Sequence, residues 1–148
     1  MRTIKFKAKT LEDGDWIVGD LNHLVDGVYI SNDNGNNMAQ VNTDTVCQFT
    51  GFLDKNGKEI YECDILRSDE YPFSNMEDDA RDNYFGITEW SDEEAMFLLT
   101  CVKNPSSSVR GISDGISDEI TQQKLEGCEI VGNIHDQEWH KKLNLKDE

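Results

Sequence analysis

Apolar and polar positions alternate from the start of the chain, with Ile4, Phe6 and Ala8 on one face and Lys5, Lys7 and Lys9 on the other. That period predicts a half-buried strand over Met1 to Lys9. Three lysines on one short strand read as the guard of a sheet edge. Leu11 to Gly14 is a turn. Trp16 to Val18 begins a second strand that Leu21 to Leu24 continues; Asp26-Gly27 turns the chain and Val28 to Ile30 returns. Ser31 to Asn37 is dense in Asn, Asp and Gly and predicts a loop. Two longer apolar runs follow, Val46 to Leu53 and Ile60 to Leu66, joined by Asp54-Lys-Asn-Gly57. Asn-Gly between such runs predicts a type I′ hairpin with positive φ at both Asn56 and Gly57.

Beyond Leu66 the pattern dissolves into an acidic stretch, Arg67 to Asn83, in which Pro72 interrupts any regular element. Ser74 and Glu77 have the spacing of a capping box, which predicts a short helix over Asn75 to Asp82. Gly86 to Trp90 and Ala95 to Val102 read as strands joined by Ser91 to Glu94. Asn104 to Ser108 is a loop by composition. Ser117 stands as N-cap of a helix over Asp118 to Glu126, which Gly127 ends. Glu129 to Ile134 is the final strand, and His135 to Leu145 a terminal helix. The fold class is therefore mainly β with minor α: N-terminal strands, then a small SH3-like barrel and one or two short helices. One domain is expected, with an N-terminal part over 1–60, a barrel-like part over 61–135 that carries an insertion at 103–125, and a tail over 136–148.

The stretch from Gln48 to Leu66, Gln-Phe-Thr-Gly-Phe-Leu-Asp-Lys-Asn-Gly-Lys-Glu-Ile-Tyr-Glu-Cys-Asp-Ile-Leu, resembles the signature of the YopX family. Three further segments agree with it: Met1 to Ala8, Tyr84 to Trp90 with Asp92 to Leu98, and Glu129 to His135. The resemblance implies a bacteriophage or prophage protein acting in the bacterial cytoplasm, and a homo-oligomer. The sequence departs from the family pattern at Cys47 and Cys63, where glycine is usual. A thiol fits there if φ is negative, so ordinary backbone is expected at both.

Charge changes the picture more than composition does. Lys and Arg number 14 against 30 Asp and Glu, a net charge of −16. Direct nucleic-acid binding, which needs clustered cations, is excluded on that balance. A partner protein with a basic surface fits it. The four cysteines at 47, 63, 101 and 128 include no close pair of the kind that zinc sites use. The first residues are not a hydrophobic leader and no run reaches the ~18 apolar residues of a membrane span. The expectation is a cytoplasmic protein with reduced thiols and no cofactor. Asp33, Asn34 and Asn36 imitate part of a calcium loop but lack its closing glutamate. His135 and His140 miss the i, i+4 spacing of a helical metal pair.

Nucleophile elbows and phosphate-cradling glycine loops are absent from the sequence, so a non-enzyme is expected. Aromatics interleaved with acids mark the contact surface for the basic partner: Asp69, Glu70, Tyr71, Phe73, Glu77, Asp78, Asp79, Asp82 and Tyr84. The partner chemistry that fits is a nucleic-acid-binding host effector, such as a CRISPR nuclease whose basic channel is occluded. Two alternatives stand beside this. Glu62 and Asp64, if on one strand, point the same way and with Glu59 form a candidate carboxylate set for a metal-dependent hydrolase or nuclease. An oligomer that sequesters a nucleotide signal would use Arg67, Arg81 and Arg110.

Overall fold

A computed structural model describes residues 1–32, 35–68, 84–102 and 117–142. The fold is mainly β, with two antiparallel sheets and two short helices. It divides into two compact units, Met1–Gly51 and Phe52–Glu148.

In the first unit, β1 (Phe6–Lys9), β2 (Trp16–Leu24), β3 (Gly27–Asn32), β4 (Asn37–Gln40) and β5 (Cys47–Leu53) lie in the order β4-β3-β2-β1-β5. β5 runs across the division between the units. Ala8, Ile30 and Val41 form the core, with Phe6, Ile17, Leu21, Val28 and Val46 packed around them. The alternation of β1 holds, since Ala8 is fully buried on the face that the sequence marks as apolar. Its lysines do not guard an edge, however, because β1 lies between β2 and β5. The ammonium groups of Lys5, just before β1, and of Lys7, within it, sit over aromatic rings instead, at 5.2 Å from the centre of Phe49 and 4.8 Å from that of Trp16.

The strand β4 starts at Asn37, where the loop expected over Ser31 to Asn37 ends, and β3 extends into that loop as far as Asn32. Four residues with no apolar alternation give no strand signal, and their pairing with β3 supplies it. A single 3-10 turn at Thr43–Thr45 leads into β5, with the Asn42 side chain accepting the Asp44 N–H. Gly51 interrupts β5 at φ 90°, a conformation that glycine adopts without the steric cost of a Cβ.

The second unit holds β6 (Glu59–Tyr61), β7 (Asp64–Ser68), β8 (Tyr84–Ser91), β9 (Met96–Val102), β10 (Ser117–Glu119) and β11 (Cys128–Asn133), with α1 (Gln122–Leu125) and α2 (Gln137–Lys142). Five of its strands make a sheet in the order β10-β9-β8-β7-β11. This sheet has β10 and β11 as its two edges, so the described strands form an open sheet and not the closed barrel expected. Both its faces are covered. Leu66, Leu99, Leu125 and Cys128 pack with Ile60 and Ile120 in one cluster, and Ile65, Ile87 and Trp139 in another. Coverage on both sides explains why β7 reads as an apolar run without alternation.

Ser117 is not a helix cap. It begins β10, which pairs with Leu98 to Thr100, and the cap falls to Thr121, whose Oγ1 accepts the Lys124 N–H. Residues 118–120 gain more from a sheet edge than from an isolated helical turn, whose nucleation is costly. The predicted helix over 75–82 and most of the 103–125 insertion lie outside the described residues.

Candidate functional site

The residues that make the signature recognisable form a set of hydrogen bonds inside the second unit. Asp54 is 5% exposed. Its Oδ1 accepts the N–H groups of Asn56 at 2.8 Å and Lys58 at 2.9 Å, while the Gly57 N–H donates to the Asp54 carbonyl at 3.0 Å. Gly57 stands at φ 78°, whereas Asn56 keeps negative φ. The hairpin is therefore a type I turn closed by a left-handed glycine, not the type I′ turn expected. The carboxylate decides this, since it binds two N–H groups that a right-handed turn brings together.

The same side chain reaches across to β11. Its Oδ2 accepts the Ile130 N–H at 3.1 Å, and the Lys55 N–H donates to the Cys128 carbonyl at 2.8 Å. Outside these bonds, Glu129 Oε2 meets Lys55 Nζ at 3.0 Å and Arg67 Nη2 at 3.3 Å. The Lys55 hydrogen bond holds the Glu129 carboxyl below the usual carboxylate range.

A second turn, Glu62-Cys63, separates β6 from β7. Cys63 stands at φ 68°, so its backbone is the left-handed one that glycine favours, contrary to the expectation of ordinary geometry. Cys47 is a regular strand residue, its thiol donating to the Thr45 carbonyl. Glu62 and Asp64 consequently do not share a strand face: Glu62 lies in the turn and Asp64 opens β7. Asp64 is 1% exposed. Its Oδ2 accepts the Tyr61 N–H at 2.8 Å and its Oδ1 accepts the Asn133 side-chain amide at 2.9 Å; Asn133 Oδ1 in turn accepts the His135 N–H at 3.0 Å. A carboxylate buried and bonded in this way serves the fold; Glu59 lies in β6, Glu62 in the turn and Asp64 in β7, so the three are not brought onto one strand face. Burial first, then the charges of Glu59 and Asp64, pushes the Tyr61 hydroxyl well up from its ordinary value.

Of the expected partner contacts, Asp69, Glu70, Tyr71, Phe73, Glu77, Asp78, Asp79 and Asp82 lie outside the described residues, as do Arg81 and Arg110. Tyr84 is described by its backbone, which opens β8 opposite Ser68. The hairpin that β8 forms with β9 carries residues of the same type that the sequence reading passed over. Trp90 is 45% exposed and meets Phe97 edge-on, with ring centres 5.0 Å apart and planes at 72°. Its indole N–H donates to Asp92 Oδ1 at 2.9 Å. Asp92, Glu93 and Glu94 are exposed in the turn that follows it, and Glu89, exposed on the opposite face of β8, accepts the Thr100 hydroxyl at 2.8 Å. The signal was available, since Glu89-Trp-Ser-Asp-Glu-Glu94 interleaves an aromatic with acids, but those acids read as an ordinary hairpin turn.

The thiol of Cys128 is buried and donates to the Lys124 carbonyl; burial pushes its pKa up to about 11. Among the described residues, no helix is long and apolar enough to cross a membrane.

The family model described as YopX protein matches residues 5–138. Among solved structures, protein EF1440 from Enterococcus faecalis is similar, with a TM-score of 0.51 and 18% identity over 93% of this chain and 97% of that one. That likeness is one of fold. No curated protein matches the sequence.

Proposed function

The chain belongs to the YopX family, and from that premise we propose that it is a phage- or prophage-encoded accessory protein that acts without catalysis, by binding a host protein in the bacterial cytoplasm. The partner presents a basic, nucleic-acid-binding surface, and the most concrete case is a CRISPR effector whose channel is occluded. One observation carries this reading: a chain with a net charge of −16 buries two signature carboxylates, Asp54 and Asp64, in backbone hydrogen bonds. Of the candidate acids Glu59, Glu62 and Asp64, the buried one, Asp64, is engaged in holding the fold, and the excess of exposed acids is left to act as a field that draws cationic surfaces.

The test is capture from a host lysate on the immobilised protein, with elution at low and then high salt. A single stoichiometric nucleic-acid-binding protein that elutes with salt is the expected result. Reversing Asp69, Glu77, Asp79 and Asp82 to lysine is expected to abolish its capture. An empty capture, or one indifferent to both salt and charge reversal, would sink the reading. The homo-oligomer that the family suggests is checked on the same preparation by sedimentation.

A further inference from the structure

We propose that the tip of the β8–β9 hairpin is a docking element for an arginine-presenting surface, with the open face of Trp90 as its anchor. The inference rests on the reading that the partner is basic, and adds a surface that the acidic stretch 69–84 does not include.

Trp90 is fixed before anything binds. Phe97 holds one side of its ring, and Phe97 itself packs against the cluster of Leu66, Leu99 and Leu125. The bond to Asp92 occupies the indole N–H. What remains for a partner is the π-face, which attracts cations, guanidinium above all. An aromatic ring anchored in this way loses little conformational freedom on binding, and tryptophan is over-represented among the residues that dominate interfaces.

Charge complementarity fixes the occupant. Asp92 is bonded to the indole and Glu93 and Glu94 follow it, exposed, in the same turn, and the sequence from Asp82 to Val102 contains no Lys, Arg or His. No cation close in sequence neutralises the tip, and a second copy of a chain at −16 is repelled from it. An arginine row of the kind that grips phosphate meets both needs at once: cations for the carboxylates and a planar group to stack on the indole.

The probe is a hexa-arginine peptide, titrated at physiological salt into the full chain while the three tryptophan indole N–H signals are followed by NMR. The Trp90 signal is expected to shift first, with those of Trp16 and Trp139 unmoved. Trp90→Ala should weaken the peptide about tenfold. Trp90→Phe, which keeps a ring at the same position and controls for folding, should retain most of the affinity. Peptide binding that leaves the Trp90 signal in place, or an affinity untouched by Trp90→Ala, would overturn the proposal. The two readings fail separately: a captured host partner indifferent to Trp90→Ala removes the hairpin and leaves the function, whereas a Trp90-dependent peptide with no salt-sensitive host partner does the reverse.

Discussion

Asp54 binds three backbone N–H groups with one carboxylate: Asn56 and Lys58 in its own turn, and Ile130 in β11. Asp54→Ala leaves all three without that acceptor, and a loss of about 3 kcal/mol in unfolding free energy is expected by denaturant titration. Asp54→Asn should cost less, since one oxygen still accepts. Cys63 is the opposite case. Its left-handed backbone carries a side chain that the conformation disfavours, so Cys63→Gly is expected to stabilise the protein by about 1 kcal/mol and raise its melting temperature. The Cys128 thiol supplies a pH dependence. Its folded pKa is raised, so its contribution is complete below about 9 and is lost as pH rises through about 11. Stability measured across that interval should fall less steeply in Cys128→Ala than in the parent protein.

At the scale of elements, the segments that look separate in sequence prove to be neighbours. The Asp54 turn is fastened to β11, and Asp64 of β7 is paired with Asn133 of β11. The two most recognisable stretches of the chain are therefore one hydrogen-bonded unit. The terminal helix α2 is seated by a related device. Gly132 leaves the space that Trp139 fills, and a Cβ there would stand 2.0 Å from the indole nitrogen. Gly132→Ala is expected to expel that ring at a cost of about 3 kcal/mol and to loosen α2, seen as loss of amide-exchange protection over residues 137–142. The hairpin, the alternation of β1 and most strands were legible because each rests on neighbours in sequence. The turn type was not, because a side-chain carboxylate chose between two backbone solutions. The strand β10 was misread for a similar reason: Ser-Asp-Glu is good helix-start chemistry locally, but β9 offers it a ladder.

For the molecule as a whole, the two uses of its acids separate. Buried carboxylates hold turns and strands, while exposed ones give the charge that governs association. A metal-dependent reaction through Glu59, Glu62 and Asp64 would require Asp64 to exchange both of its bonds for a cation, which removes acceptors from Tyr61 and Asn133. Calorimetric titration with Mg2+ and Mn2+ at millimolar concentration is expected to show no binding that Asp64→Asn removes. Partner affinity, by contrast, should fall steeply with salt, because it comes from exposed charge.

The sequence by itself determined the β class, the hairpin at Asp54–Gly57, the charge and the family, since these depend on period, composition and a contiguous string of residues. The tertiary structure decided which acids are bolts and which are surface, and that β1 is an inner strand. It also placed Cys63 in a left-handed turn and Trp90 at an exposed tip beside Phe97. Each of those depends on which distant strand lies alongside. Burial and hydrogen-bond partnership are properties of pairs that the linear order does not contain.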